Sequence, residues 1–170
     1  HGGIVRQVEQ SVQNEYLPFQ PARDYCWAIF KREEIMSETL DVLGAPMIVK
    51  ADGSPVAAFV ADHPIPPGYF VPPHRHESDD EMLFVVDGEL TLIGEAGESK
   101  IQAGACATFA CGDLHGYRND TARTVRLVVV ATPGLQAAEM FRHFDRAAKK
   151  APLAPPDVEA IAAEYGVRFG

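Results

Sequence analysis

The chain has 170 residues, a formal net charge of −9, and 46% hydrophobic against 23% charged residues, an ordinary balance for one globular domain. No Lys/Arg run interrupts the acidic excess, which excludes nucleic-acid recognition through clustered positive charge. No apolar run approaches the roughly 20 residues that span a bilayer, so no membrane partner is expected.

Residues 1–38 form an N-terminal arm, of which His1-Gly2-Gly3 reads as an expression remnant. Pro18 and Pro21 break a stretch without a sustained period. One short strand is expected near Trp27 to Phe30, and the arm is placed to cover a sheet edge or to cross to a second subunit in a homodimer. The three cysteines, Cys26, Cys106 and Cys111, match no disulfide framework and no zinc ribbon. They read as small apolar fillers in a reducing cytoplasm.

From Thr39 to Ala131 the pattern is all-β. Two apolar runs flank Asp52-Gly53, read as a hairpin turn. Short apolar strands are expected at Leu83–Val86, Glu89–Ile93, Ser99–Gln102, Ala105–Ala110 and Val125–Ala131. Turn signals fence them at Asp87-Gly88, Gly94–Gly97, Gly104 and Gly112-Asp113. Asp87-Gly88 reads as a hairpin. Many short strands without helices between them imply a sandwich or barrel. Residues 132–170 switch to helical spacing. Leu135, Ala138, Phe141 and Phe144 share one face of a first helix, which ends at Lys149-Lys150. A second short helix carries Val158, Ile161, Ala162 and Tyr165, with Asp157 as its N-cap and Gly166 after its end. Both are expected to pack on the barrel.

The stretch "HRHESDDE", His74 to Glu81, holds the candidate chemistry. His74 and His76 differ by two, so on an extended chain they face the same side. A bend at "ESDD" can fold Glu81 back toward them, and His115 begins a later strand. Three imidazoles and one carboxylate suit Fe, Mn, Ni, Co, Cu or Zn better than Mg or Ca. The competing reading is a solvated acidic turn. His63 and His143 lack partners at metal spacing and read as surface or packing residues.

The full spacing resembles the cupin family. Gly68, "YFVPP", His74-Arg75-His76, "ESDD", Glu81, "MLFVVD", Gly88 follows the first cupin motif. Gly104, "ACATF", Ala110-Cys111-Gly112, "DL", His115, "GYR", Asn119 follows the second, except that Ala110 stands where proline is usual. The resemblance implies a double-stranded β-helix, a jelly-roll barrel over residues 39–131. It also implies one divalent transition metal held inside by His74, His76, Glu81 and His115. The Thr-Pro step and helical tail after the barrel are similar to small bacterial proteins described as quercetin 2,3-dioxygenase-like.

Four protein ligands leave open positions for substrate. A site of net charge about +1 among apolar walls favours an anionic or enolisable small molecule. Glu81 is then the candidate catalytic base, and Phe70, Phe109 and Tyr117 are candidate pocket residues. The resulting expectation is a metal-dependent dioxygenase that cleaves a flavonol-like or other enolisable substrate with dioxygen. Its alternatives are a non-oxidative isomerase, cyclase, lyase or decarboxylase working through an enolate, and a non-catalytic small-molecule-binding cupin.

Overall fold

The computed structural model describes residues 37–170. The strand expected near Trp27 to Phe30, and Cys26, lie outside the described residues. Ten strands come first: β1 Glu38–Val42, β2 Ala45–Asp52, β3 Phe59–Ile65, β4 Phe70–His76, β5 Asp80–Asp87, β6 Glu89–Gly94, β7 Gly97–Gln102, β8 Cys106–Phe109, β9 His115–Arg118 and β10 Val125–Thr132. Helices α1 Ala137–Ala148 and α2 Pro155–Glu164 follow, then a short strand β11 Val167–Phe169. The strands form two antiparallel sheets, ordered β1-β2-β3-β10-β5-β8 and β11-β4-β9-β6-β7.

Period-two burial builds the barrel. Phe59, Ala61, His63 and Ile65 of β3 turn inward, as do Val125, Leu127, Val129 and Ala131 of β10. These meet Leu90, Leu92 and Tyr117 from the other sheet in one apolar core. Each fully buried Leu or Val contributes roughly 1.5–3 kcal/mol of transfer free energy, so the rows that fill the interior also fix which face of each strand points in.

Several local readings are corrected. The chain reverses at Leu43-Gly44, with φ of +54° and +95°, and pairs β1 with β2. Two successive positive-φ residues are the requirement of a tight primed hairpin turn, and Leu43 hides that signal. Asp52-Gly53 instead opens a longer loop before β3. Asp87-Gly88 is a corner, not a hairpin, because β5 and β6 lie in different sheets. Gly88 has φ +92°, and a Cβ there would lie 2.9 Å from Val125 Cγ2, so both backbone and space demand glycine. Asp157 is the third residue of α2 rather than its cap. Its Oδ2 accepts the Ala154 N–H at 2.9 Å, and Pro155 opens the helix, where a missing N–H costs nothing. Cys106 and Cys111 are exposed free thiols, not buried fillers.

The C-terminal segment closes one side of the barrel. α1 carries Met140 and Phe144 into a second apolar cluster with Ile161 and Ala162 of α2 and Val167 of β11. Asp145 of α1 accepts the Asp41 N–H of β1 at 3.0 Å. β11 pairs with β4 along the histidine-bearing stretch, with Val167 opposite His76 and Phe169 opposite His74. No helix among the described residues is long and apolar enough to cross a membrane.

Candidate metal centre

β4 carries His74 and His76 and is irregular for a stated reason. Pro72 and Pro73 have no N–H to donate, and the β4–β9 ladder shifts register between Val71 and His74. Gly116 of β9 sits against that break. A Cβ there would meet Val71 O at 2.7 Å and Pro73 N at 2.9 Å, so glycine lets the two strands close up. His74 and His115 are then register partners across β4 and β9, with ring centroids 4.5 Å apart. Glu81 comes from the opposite sheet. It is the first inward position of β5, in the row continued by Leu83 and Val85.

The side chains of His74, His76, Glu81 and His115 each offer a ligand atom, and these atoms lie within 4.8 Å of one another. Glu81 Oε2 accepts from His115 Nε2 at 2.6 Å and from His76 Nε2 at 3.0 Å. The outer nitrogens of two rings are held by the backbone two residues earlier. His74 Nδ1 donates to Pro72 O and His115 Nδ1 donates to Asp113 O, both at 2.9 Å. A carbonyl only accepts, so each Nδ1 carries a proton; neutral His74 turns its Nε2 lone pair to the cluster, whereas His115, which also donates from Nε2 to Glu81 in the metal-free protein, must give up that second proton to offer a metal its lone pair. That fixed tautomer, with a carboxylate beside it, is the arrangement metal-ligating histidines need. The group could hold a divalent transition metal, and its donor chemistry fits one.

The electrostatics agree. Burial pushes the His74 pKa down to about 4, against a smaller opposing pull from Glu81, so the ring is a neutral lone-pair donor near neutral pH. Burial alone would raise the Glu81 carboxyl, but hydrogen bonds from His115 and His76 outweigh it and hold the group well below the usual carboxylate range. Burial likewise opposes protonation of His115, and its bond to Glu81 overcomes that and raises its pKa.

The cluster opens on a cavity of about 110 Å³ with a largely apolar wall. Phe70 and Tyr117 line it. Phe109 does not; it stacks on the His115 ring from outside, with centroids 4.3 Å apart and planes 11° apart. Its position in β8, opposite Glu81, shows that it braces the cluster. His63 is not a surface residue. It is 1% exposed, lines the cavity, and donates from Nδ1 to Pro46 O at 2.8 Å. Its inward place in the β3 alternation was the available signal. His143 contacts the hydroxyl of Tyr165, the residue that follows α2, and is not part of the cluster.

The acidic loop does more than sit in solvent. Asp79 accepts the Gly134 N–H at 2.9 Å, and Asp80 accepts the Cys111 N–H at 2.8 Å. The two carboxylates tie the Glu81 turn to the α1 entry and to the turn before His115. Ala110, at the position usually held by proline, donates its N–H to Asp113 Oδ2 at 2.8 Å, a bond proline cannot make. Asn119, at the end of the second motif, is buried and donates to Ile65 O and Arg123 O.

Two packed antiparallel sheets enclosing a His/Glu cluster define a double-stranded β-helix protein with a candidate metal centre. Residues 63–131 match the family model described as Cupin domain. A search of curated proteins finds no match. Among solved structures, a sugar phosphate isomerase of the cupin superfamily from Silicibacter pomeroyi is 28% identical, with TM-score 0.50, over 54% of this chain and 61% of that one. The match therefore spans less than two thirds of the isomerase. A predicted oxalate decarboxylase from Thermotoga maritima (21% identity, 58% of this chain and 93% of that one, TM-score 0.52) shares the fold. So does KdgF from a Halomonas species (18% identity, 56% and 87%, TM-score 0.51).

Proposed function

We propose that this chain is a metal-dependent cupin dioxygenase for a small enolisable compound with an apolar body. His74, His76, Glu81 and His115 are the proposed ligands. The observation that carries the reading is the cavity itself: a His₃Glu cluster at the wall of a small chamber that is otherwise mostly apolar. No Lys or Arg lines the cavity among the described residues, which argues against a phosphorylated sugar, since a buried phosphate needs a cationic partner.

A divalent cation held by the cluster would lower the pKa of a substrate hydroxyl and stabilise the oxyanion that forms. Glu81 accepts the hydroxyl proton as carboxylate, and its inward place on β5, in the row of Leu83 and Val85, holds that carboxylate at the cluster. Phe141, Val129 and Met47 exclude water, which strengthens these interactions and protects a carbanionic carbon from reprotonation. Dioxygen would oxidise that carbon, and as the adjacent carbon–carbon bond breaks each fragment would take one of its two oxygen atoms. The second reading is non-oxidative: the same enolate is reprotonated or loses a fragment, as in an isomerase, cyclase, lyase or decarboxylase. The likeness to the isomerase above favours keeping it.

Metal analysis followed by oxygen uptake with small 1,3-dicarbonyls and enols separates the readings. Uptake stoichiometric with product supports the dioxygenase. Turnover without uptake moves the assignment to the non-oxidative enzyme, and tight binding without turnover leaves a binding cupin. The His76→Ala variant should lose stoichiometric metal; unchanged metal content refutes the ligand set. We further propose a cytoplasmic homodimer. Its support is the pair of free, exposed thiols and the open sheet edge at β8, and a solution mass of 18.5 kDa by light scattering would refute the dimer.

A further inference from the structure

The cavity has a second polar pole that the metal reading does not use. His63 on β3, Tyr69 before β4 and Tyr117 on β9 all line it. The His63 and Tyr69 rings meet edge to face, with centroids 5.8 Å apart. Tyr69 spends its hydroxyl proton on Val42 O at 2.8 Å, so toward the cavity it is an acceptor only. His63 gives its Nδ1 proton to Pro46 O, which leaves Nε2 as a lone-pair acceptor. Neither His63 Nε2 nor the Tyr117 hydroxyl has a hydrogen-bond partner among the described residues. No side-chain nitrogen or oxygen that is shut off from space lacks a partner there. Both residues line the cavity although they are only 1% and 5% exposed, so the cavity is the space open to these two atoms among the described residues.

A buried polar atom that faces an apolar chamber without a partner costs stability unless something enters to satisfy it. We propose that His63, Tyr69 and Tyr117 form a second subsite that receives a hydroxyl group of the substrate. His63 Nε2 accepts its proton in a hydrogen bond, and Tyr117 donates to its oxygen. The inference rests on the function proposed above and deepens it: the substrate is bifunctional, with an oxyanion oxygen at the His/Glu cluster and a hydroxyl at this pole of the same cavity. Burial lowers the His63 pKa, against weaker pulls from its Pro46 bond and the Glu81 charge. That keeps the ring neutral and its Nε2 an acceptor at neutral pH.

Benzoate, 3-hydroxybenzoate and 4-hydroxybenzoate are suitable probes, because they share the carboxylate and differ only in the distant hydroxyl. Calorimetric titration of Zn²⁺-loaded protein should show one hydroxy isomer binding about tenfold tighter than benzoate, the value of one well-made buried hydrogen bond. His63→Phe and Tyr117→Phe should each erase that gain, read as the ratio of hydroxy-isomer to benzoate affinity within the same variant, with zinc content unchanged. Tyr117→Phe removes only an oxygen atom, so it serves even if the His63 variant folds poorly. In ¹⁵N-histidine spectra of the wild-type protein, the Nε2 signal of His63 should be that of an unprotonated nitrogen and should shift when the hydroxy isomer binds. A gain that is absent for both isomers, or that survives in both variants, overturns the subsite. Metal-free titrations isolate the other reading. Benzoate that binds equally well without Zn²⁺ defeats the metal-anchored function, while the hydroxyl increment still judges His63 on its own.

Discussion

Acid should destabilise the metal-free protein through His74 before it reaches the carboxylates. In the fold this imidazole is held neutral by burial, with its pKa near 4 against 6.5 for an unperturbed ring. The unfolded chain therefore takes up a proton as pH falls below 6.5, while the folded chain does not until about 4. Stability rises with pH wherever the unfolded state binds more protons, so it falls as pH is lowered through that window. At about 1.4 kcal/mol for each factor of ten in proton affinity, the loss is about 3 kcal/mol, most of it between pH 6.5 and 4.5. His115 does not mask the effect. Its raised pKa gives a contribution that is complete below 6.5 and lost only as pH climbs through its folded value. Glu81 enters lower still, since its depressed pKa gives stability that is lost only below about 4.5. Urea unfolding in chelator at half-unit pH steps measures the curve, with the midpoint converted through a constant m-value. The His74→Gln variant should flatten it by about 3 kcal/mol over that range. Equal acid losses in the variant and the parent would refute the assignment of the slope to His74.

Gly116→Ala should lower stability by about 1–3 kcal/mol, the cost of overpacking a closed interface. It forces β9 away from the carbonyl of Val71 and the nitrogen of Pro73, so it should also weaken metal binding by separating His74 from His115; an unchanged melting temperature and Zn²⁺ affinity would rule out that close approach. Phe109→Ala removes the ring stacked on His115 without touching the cavity wall. The expected result is roughly tenfold weaker Zn²⁺ binding, typical for the loss of a group that orients a ligand, and calorimetry giving the parental Kd would show that the stack has no such role. Asp145→Ala should cost about 1–2 kcal/mol by stranding the Asp41 N–H, read as a lower urea midpoint; no change would mean that this bond does not help to hold α1 on β1.

The four cluster residues were legible because period and spacing carry them. His74 and His76 share a strand face by their two-residue separation, Glu81 follows the bend at Glu77–Asp80, and His115 follows the Gly112-Asp113 turn, at the distances the cupin motifs use. Strands with clean alternation, such as β10, were legible for the same reason. What escaped depended on contacts distant in sequence. β11 has three residues, too few for any periodic signal, and exists because β4 offers it an edge. Whether Asp87-Gly88 turns a hairpin or a corner is decided by which sheet receives β6, and the local dipeptide is the same in both. Phe109 and Tyr117 look alike as aromatics in short strands. Only the barrel's closure puts Tyr117 inside it and Phe109 behind His115. His63 was discounted for lacking a partner at metal spacing, yet its inward parity on β3 was visible all along.

The division between motif and wall bears on what the family match can transfer. All four cluster residues fall within the matched segment, 63–131, and so does the register break that aims His74 at His115. Much of the cavity wall falls outside it. Val42 and Met47 come from the first hairpin, Met140 and Phe141 from α1, and Val167 and Phe169 from the terminal strand. Phe169 lies 5.9 Å from the His74 ring, so the last strand shapes the space directly above the cluster. Relatives that share the motif but not these flanking elements can share the enolate chemistry while accepting substrates of different size and polarity. Under the proposed function, the apolar side chains that α1 and β11 bring to the mouth and the polar pole at His63 would set substrate choice. The histidines and the glutamate would then bind the first substrate oxygen.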